Sequence, residues 1–283
     1  MSKAYLYFLV FFRFVARFPI LSAVVVCCSN WWHRDGRIDD VGTHLGLNGV
    51  DDVSTHIENL RKHGFSAGLS LDSEFVDELK NKFLSQTLTE DKTGKRISAM
   101  HAIESGGSAA FRWINPHKEF DKINLLAHDK RLVDIAGAYL GCTPILHSTQ
   151  IWLLNPPNHD VAEGAEYGWH YDIDDFGFVK VFFYLTDTAE VNGQHMLVGN
   201  SHRNLTLHKI LNRRISDIEL RKKYNERDIH RMDGVAGQGF FEDTWLYHKA
   251  TPPTGQRMMM QIEYCATGVM KYFEKKSIKH QMV

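Results

Sequence analysis

The apolar pattern divides the chain into three regions. Ala4 to Phe12 is wholly apolar, Arg13 and Arg17 interrupt it, and Phe18 to Cys28 is again almost wholly apolar. Next comes a Gly-, Asp- and His-rich stretch, Asp35 to Gly49, which has no periodicity and reads as a linker. Helical spacing of apolar positions then predicts helices near Val53–Gly64, Asp72–Leu88 and Pro116–Tyr139. Asp72 or Ser73 caps the second, and Gly141 stops the third. From Pro144 onward the period shortens. Ile145–Leu154, Phe178–Leu185, Gln194–Gly199, Gly239–Leu246 and Arg257–Tyr264 read as short strands parted by Gly, Pro and Asn turns. A polar helical insert, Leu205 to Arg231, lies among them. Strands gathered after helices, without strand–helix alternation, favour a β-sandwich or barrel over a parallel α/β sheet.

The first segment admits three readings. Its arginines lie inside the apolar stretch and no small-residue cleavage site follows, unlike a secretory signal. A spanning helix needs about 20 consecutive apolar residues, and Arg13, Arg17 and Pro19 break that run. On a helical wheel Lys3, Arg13 and Arg17 share one arc, which suits a helix lying in a membrane surface, with Trp31 and Trp32 at the lipid–water boundary. The competing reading packs the segment on its own domain or on a second copy. Residues 1–34 are thus set apart from a single domain at 35–283, with helices at about 50–141, a strand core at about 144–265 and the insert at about 205–231.

Composition narrows the classes of function. With 33 Lys and Arg against 34 Asp and Glu, the net charge is -1, so no broad basic field invites nucleic acid. Cys27 and Cys28 are adjacent and Cys142 and Cys265 far apart, a spacing that makes neither a disulfide framework nor a zinc knuckle. A reducing, cytoplasmic compartment follows most simply.

Sixteen histidines are many, so only those in a ligand-like arrangement carry weight. In Trp169-His170-Tyr171-Asp172, residues two apart on an extended strand share a face, so His170 and Asp172 can hold one ion. A histidine from a distant strand would complete two histidines and one carboxylate with open positions opposite, the arrangement of non-haem Fe(II) oxygenases. His248, ending an apolar run before Pro252-Pro253, is the natural third ligand. Asp174 and Asp175 compete with Asp172 as the carboxylate. Arg257 follows His248 by nine residues and opens an apolar strand, where a lone cation needs an anionic partner. His128-Asp129 and His159-Asp160 show how common such pairs are, and both read as structural or solvent-facing.

From about Ile145 to Tyr264 the chain resembles the phytanoyl-CoA dioxygenase family of Fe(II)- and 2-oxoglutarate-dependent oxygenases. The resemblance rests on Gly168-Trp169-His170-Tyr171-Asp172, Tyr184-Leu185-Thr186-Asp187, Asn192-Gly193-Gln194 running into Gly199-Asn200-Ser201-His202-Arg203, and then His248 and Arg257. It implies a mainly β fold with flanking α-helices and a double-stranded β-helix, or jelly-roll, core of cupin type. It further implies iron at His170, Asp172 and His248, the distal carboxylate of 2-oxoglutarate on Arg257, O2 as oxidant and ascorbate as an accessory reductant. Where relatives place a Ser two residues after the distal His, this chain has Ala250, with Thr251 one further on. Thr251, Gln150 and Asn155 are weaker candidates for cosubstrate contacts. Asp172 argues for hydroxylation rather than halogenation, since halogenases replace that carboxylate with a small residue. Aliphatic C–H hydroxylation of a small-molecule, lipid or lipid-linked substrate is the expected activity, with residues 1–34 on the cytoplasmic face of a membrane and no nucleic-acid partner. The alternatives are a non-oxidative cupin-type metalloenzyme and a catalytically silent ligand-binding jelly-roll. The oligomeric state is left open.

Overall fold

Among the described residues, two antiparallel sheets of nine and three strands enclose a cavity between them, and helices cover the outer face of the larger. This is a jelly-roll, seen in a computed structural model that describes residues 11–12, 14–16, 18–32, 38, 42–44, 46–105, 110–156, 167–189, 192–203 and 206–269. In chain order the elements begin with α1 (Pro19–Trp32), β1 (Leu47–Asn48), α2 (Val53–His63), β2 (Phe65–Leu71), α3 (Ser73–Leu84), β3 (Thr87–Glu90) and β4 (Arg96–Ser98). Next come α4 (Ala99–Glu104), β5 (Ala110–Ile114), α5 (Asp121–Ala127), α6 (Lys130–Leu140), β6 (Ile145–Leu154) and β7 (Phe178–Tyr184). The remainder are β8 (His195–Val198), α7 (Leu207–Leu211), α8 (Asp217–Lys223), β9 (Ile229–Met232), β10 (Gln238–Glu242), β11 (His248–Ala250) and β12 (Arg257–Cys265). The large sheet runs β1-β2-β10-β7-β12-β6-β5-β3-β4 and the small one β11-β8-β9.

Residue alternation in the large sheet separates core from cavity. Val179, Val181 and Phe183 of β7, Met258, Met260, Ile262 and Tyr264 of β12, and Ile151 and Leu153 of β6 face the helices. Leu60, Leu79, Phe83, Leu126 and Ile135 meet them from the helical side. The intervening residues, Lys180 and Phe182, Arg257, Met259, Gln261 and Glu263, and Ser148, Gln150 and Trp152, line the cavity. A slip of one residue in any of these strands would exchange a charged row for the core, so burial pins the register. β12 pairs with both neighbours over this row, with Glu263 opposite Lys180 on β7 and opposite Ser148 on β6.

Helix ends follow local chemistry. Asp52 accepts from Thr55 N at 3.1 Å to start α2, and Gly64, at φ 84°, ends it in the left-handed region. The helix expected over Pro116–Tyr139 is two. Asp129 caps α6, accepting from Arg131 N at 2.9 Å, and also takes His44 N at 2.6 Å. A carboxylate with these demands ends one helix and begins another, and His128-Asp129 is thereby structural.

Three expectations need correction. The region at about 50–141 is not only helical, because β1 to β5 extend the large sheet on both sides. Phe65-Ser66-Ala67-Gly68-Leu69-Ser70-Leu71 looks weak as a strand by itself but pairs along β10, which is remote in sequence. The insert at 205–231 contains two short helices and ends in β9 of the small sheet. The linker read at Asp35–Gly49 is laid on the domain where it is described. Ile38 is buried, Ile38 N donates to Pro144 O, and Gly42 O accepts from Lys130 N.

Where it is described, the N-terminal segment turns some of its side chains inward. Phe12 meets Phe176 edge-on at 4.3 Å, and Ala16, Val25 and Val26 join a cluster with Trp169, Tyr171 and Phe176. Ile20, Leu21 and Val24 point outward and are exposed. No helix among the described residues is long and apolar enough to cross a membrane. Lys3, Arg13, Arg17, the side chains of Trp31 and Trp32, and His159-Asp160 lie outside the described residues.

Candidate metal centre and cosubstrate pocket

His170, Asp172 and His248 converge, with one ligand atom from each lying within 4.8 Å of the others. Backbone pairing closes the site. His170 N donates to His248 O at 3.0 Å, His248 N to His170 O at 2.8 Å, and Asp172 N to Thr244 O at 2.7 Å. This pairing joins a loop before β7 to the entry of β11. The Gly-Asn-Ser-His-Arg turn steadies that entry. Ser201 Oγ accepts from Tyr247 N at 2.8 Å, and buried Lys209 donates to Ser201 O and Trp245 O.

The histidines are set up as ligands. His170 Nδ1 lies 2.8 Å from Gly168 O and His248 Nδ1 lies 3.0 Å from Leu246 O. A carbonyl oxygen only accepts, so each Nδ1 carries the proton and each Nε2 offers its lone pair. Both Nε2 atoms face Asp172, at 3.9 Å and 3.7 Å. Burial lowers the pKa of His170 and pushes His248 down to about 4, so both rings are neutral at pH 7. Burial works to raise the Asp172 pKa, but the charge and hydrogen bond of Lys180 outweigh it and hold the carboxyl well below its ordinary range. Two neutral imidazoles and one carboxylate suit a divalent transition metal such as Fe(II).

Asp172 is also gripped by cations. Lys180 Nζ donates to its Oδ2 at 2.8 Å and Arg213 Nη2 to its Oδ1 at 2.8 Å. Of the competing carboxylates, Asp174 is taken by Lys180 at 2.6 Å, and Asp175 accepts from Thr267 N at 2.7 Å. Neither belongs to the converging set.

Arg257 lies in the same cavity of about 730 Å³, 1% exposed and without a carboxylate partner among the described residues. Its Nη2 meets Met259 Sδ at 3.3 Å, its guanidinium carbon lies 5.7 Å from the Tyr184 ring, the Tyr184 hydroxyl is a further polar neighbour, and Nε has no acceptor among the described residues. A buried, under-satisfied guanidinium facing a cavity fits one carboxylate of a dicarboxylate ligand. Gln150 lines the cavity too, opposite Gln261. Thr251 and Asn155 are spent elsewhere. Thr251 Oγ1 donates to Gln194 O at 3.3 Å, and Asn155 Nδ2 donates to Ala102 O at 2.7 Å.

Several groups went unmarked in the sequence. His195 stacks on His248 at 5.5 Å and meets Glu242 Oε2 at 2.7 Å, while Glu242 Oε1 lies 3.6 Å from His248 Nδ1. Burial drives this pair toward neutrality, taking His195 down to about 3 and Glu242 up to about 7. Lys180, Glu242 and Glu263 each interrupt an otherwise apolar strand run, the same signal that singled out Arg257.

No protein-family model matches the chain. A Stutzerimonas stutzeri protein described as a probable alpha-ketoglutarate-dependent hypophosphite dioxygenase is 30% identical over 121 residues, or 40% of this chain. The match spans only 36% of that relative's own length. Among solved structures, EvdO2 from Micromonospora carbonacea var. aurantiaca, complexed with 2-oxoglutarate, matches with a TM-score of 0.52 at 15% identity, covering 80% of this chain and 92% of its own. EctD from S. alaskensis with bound Fe matches at 0.52 and 17%, covering 81% and 84%. The non-heme alpha ketoglutarate dependent epimerase SnoN from nogalamycin biosynthesis matches at 0.51 and 16%, covering 75% and 82%. At these identities the structural likenesses establish the shared jelly-roll fold.

Proposed function

We propose that this chain is an Fe(II)- and 2-oxoglutarate-dependent dioxygenase that hydroxylates an aliphatic C–H bond of a small molecule. One observation carries the reading: the His170, Asp172 and His248 triad shares one cavity with the buried guanidinium of Arg257, which meets no carboxylate among the described residues. A cupin-type isomerase or a silent binding module has no use for that guanidinium beside a complete ligand set. The partial likeness to an alpha-ketoglutarate-dependent dioxygenase supports the same cosubstrate.

Fe(II), 2-oxoglutarate and O2, held at these residues, would supply the oxidising power. The chain's own residues do the rest. His170 and His248 present neutral Nε2 atoms, and Asp172 presents a carboxylate that stays ionised. Lys180 and Arg213 fix the rotation of that carboxylate by holding its two oxygens. Arg257 anchors the distal carboxylate and so sets the direction in which the cosubstrate lies. Phe182, Met259 and Trp152 wall the cavity and limit water. Anaerobic titration with Fe(II) and 2-oxoglutarate should give a visible charge-transfer band, lost in His248→Ala. A folded protein without the band would defeat the reading.

The same proposal extends to the N-terminal helix, whose outer residues Ile20, Leu21 and Val24 are free to rest on the cytoplasmic face of a membrane. A lipid or lipid-linked substrate would then be within reach. Co-sedimentation with anionic vesicles tests this, and a protein that stays in solution would remove it.

A further inference from the structure

The charge around the metal centre is uneven. Six cationic side chains line the cavity, Arg112, Lys118, Lys180, Arg213, Arg214 and Arg257, against four carboxylates, Asp91, Asp172, Asp174 and Glu263. Most are matched: Arg112 with Asp91, Lys180 with Asp172 and Asp174, and Arg213 with Asp172. Metal and cosubstrate leave this balance where it was, since a divalent cation at the triad and a dicarboxylate dianion at Arg257 cancel. The loaded cavity therefore keeps an excess of positive charge.

The excess sits on Arg214 and Lys118, which have no ion pair among the described residues. Arg214 is the one beside the chemistry. It forms a backbone bridge with His170, and Ile215 N donates to Trp169 O at 3.1 Å, so residue 214 is strapped to the metal-ligand segment. Its guanidinium folds back over that segment, with Nη1 3.8 Å from where a Cβ on Gly168 would stand. A cation beside the metal-ligand segment, with no acidic partner among the described residues, calls for a ligand that is negatively charged and rich in acceptors.

We propose that the substrate is a small molecule bearing an oxyanion, a phosphonate, phosphate or carboxylate group, which Arg214 holds beside the iron ligand His170. This rests on the oxygenase reading above and adds the substrate's chemical class. The planar fork of Arg214 can take two oxygens at once, leaving the rest of the molecule to extend past the metal into the space walled by Trp152, Gln150 and Ile114.

The test uses the full chain, held anaerobically with Fe(II) and 2-oxoglutarate so that binding is read without turnover. Calorimetric titration with methylphosphonate, inorganic phosphate and propionate, with isopropanol as the neutral probe, should show saturable binding of at least one oxyanion and none of the alcohol. Arg214→Gln should weaken that binding by about tenfold to a hundredfold, the usual loss for a charge-assisted contact. Arg214→Lys should recover part of it, because charge is restored without the fork. Retention of the charge-transfer band in both variants shows that the site is still assembled. Phosphatidate vesicles are a further arm: binding to them that needs Arg214, with none to methylphosphonate, would uphold the oxyanion but place it on a lipid headgroup. If the loaded protein binds no oxyanion, or binds it equally well as Arg214→Gln, the substrate class is wrong and the oxygenase reading stands. If no cosubstrate complex forms at all, both fall together.

Discussion

Replacing Arg257 with methionine should move two properties in opposite directions. In the protein without cosubstrate the guanidinium is 1% exposed and, among the described residues, meets no carboxylate and has an Nε with no acceptor. A buried donor left unsatisfied costs about 1–3 kcal/mol, more when it is charged. The Tyr184 ring, 5.7 Å away, returns part of that. Methionine fills similar space without the charge, so Arg257→Met should stabilise the cosubstrate-free protein by about 1–3 kcal/mol. At about 2–4 °C per kcal/mol for a chain of this size, melting should rise by about 2–12 °C. The cosubstrate tells the opposite story. A dicarboxylate entering the variant buries one end against a thioether, and an unpaired buried charge costs about 3–5 kcal/mol. That is roughly two to three and a half decades in Kd. Anaerobic thermal melts with Fe(II), with and without 2-oxoglutarate, read both effects, because a ligand that binds only the folded state raises the melting temperature. The wild type should start lower and rise on addition; the variant should start higher and stay there. A variant that melts lower without cosubstrate, or rises as the wild type does with it, would show that Arg257 is a satisfied structural cation.

Lys180→Met should remove the partner of Asp172 and Asp174 and cost the metal-free protein about 3–5 kcal/mol. A divalent metal returns positive charge to Asp172, so the metal-loaded variant should lose less and Fe(II) affinity, read by chelator competition, should rise. Equal losses in both states would contradict the competition between Lys180 and metal. Burial pushes the Glu263 carboxyl up to about 7 although Lys180 lies opposite. The folded state therefore holds a proton that the unfolded chain releases near its ordinary 4.5, so this contribution is full below pH 4.5 and lost as pH rises through 7. Glu263→Gln keeps the neutral form and should gain up to about 3 kcal/mol over the wild type at pH 8, with little difference near pH 4. Urea unfolding of the metal-free proteins at both pH values measures this, and a pH-independent difference would sink it.

Some of this protein could be read directly from its residues. The long strands β6, β7 and β12 announce themselves because their alternation or unbroken burial is a local property. His170-x-Asp172 is likewise local, since two residues apart on extended chain share a face whatever the rest of the fold does. Order along the chain then pointed to His248 and Arg257. What local pattern cannot contain is partnership. β2 is a strand because β10 offers it a register, and its own Gly- and Ser-bearing sequence does not insist on one. Phe12, ahead of α1, and Val25 and Val26 within it pack on the cluster around Phe176 because the domain presents a matching apolar surface there, a fact absent from the segment's own hydropathy. Thr251 and Asn155 looked available as polar residues near the site, and tertiary contacts gave their hydrogen-bonding groups to Gln194 and Ala102. Lys180 and Glu263 look like isolated charges in apolar strands until the sheet sets them side by side. The side-chain period of a strand is short-range physics, legible in one dimension, whereas the pairing of buried charges depends on which strands lie adjacent, and only the closed jelly-roll decides that.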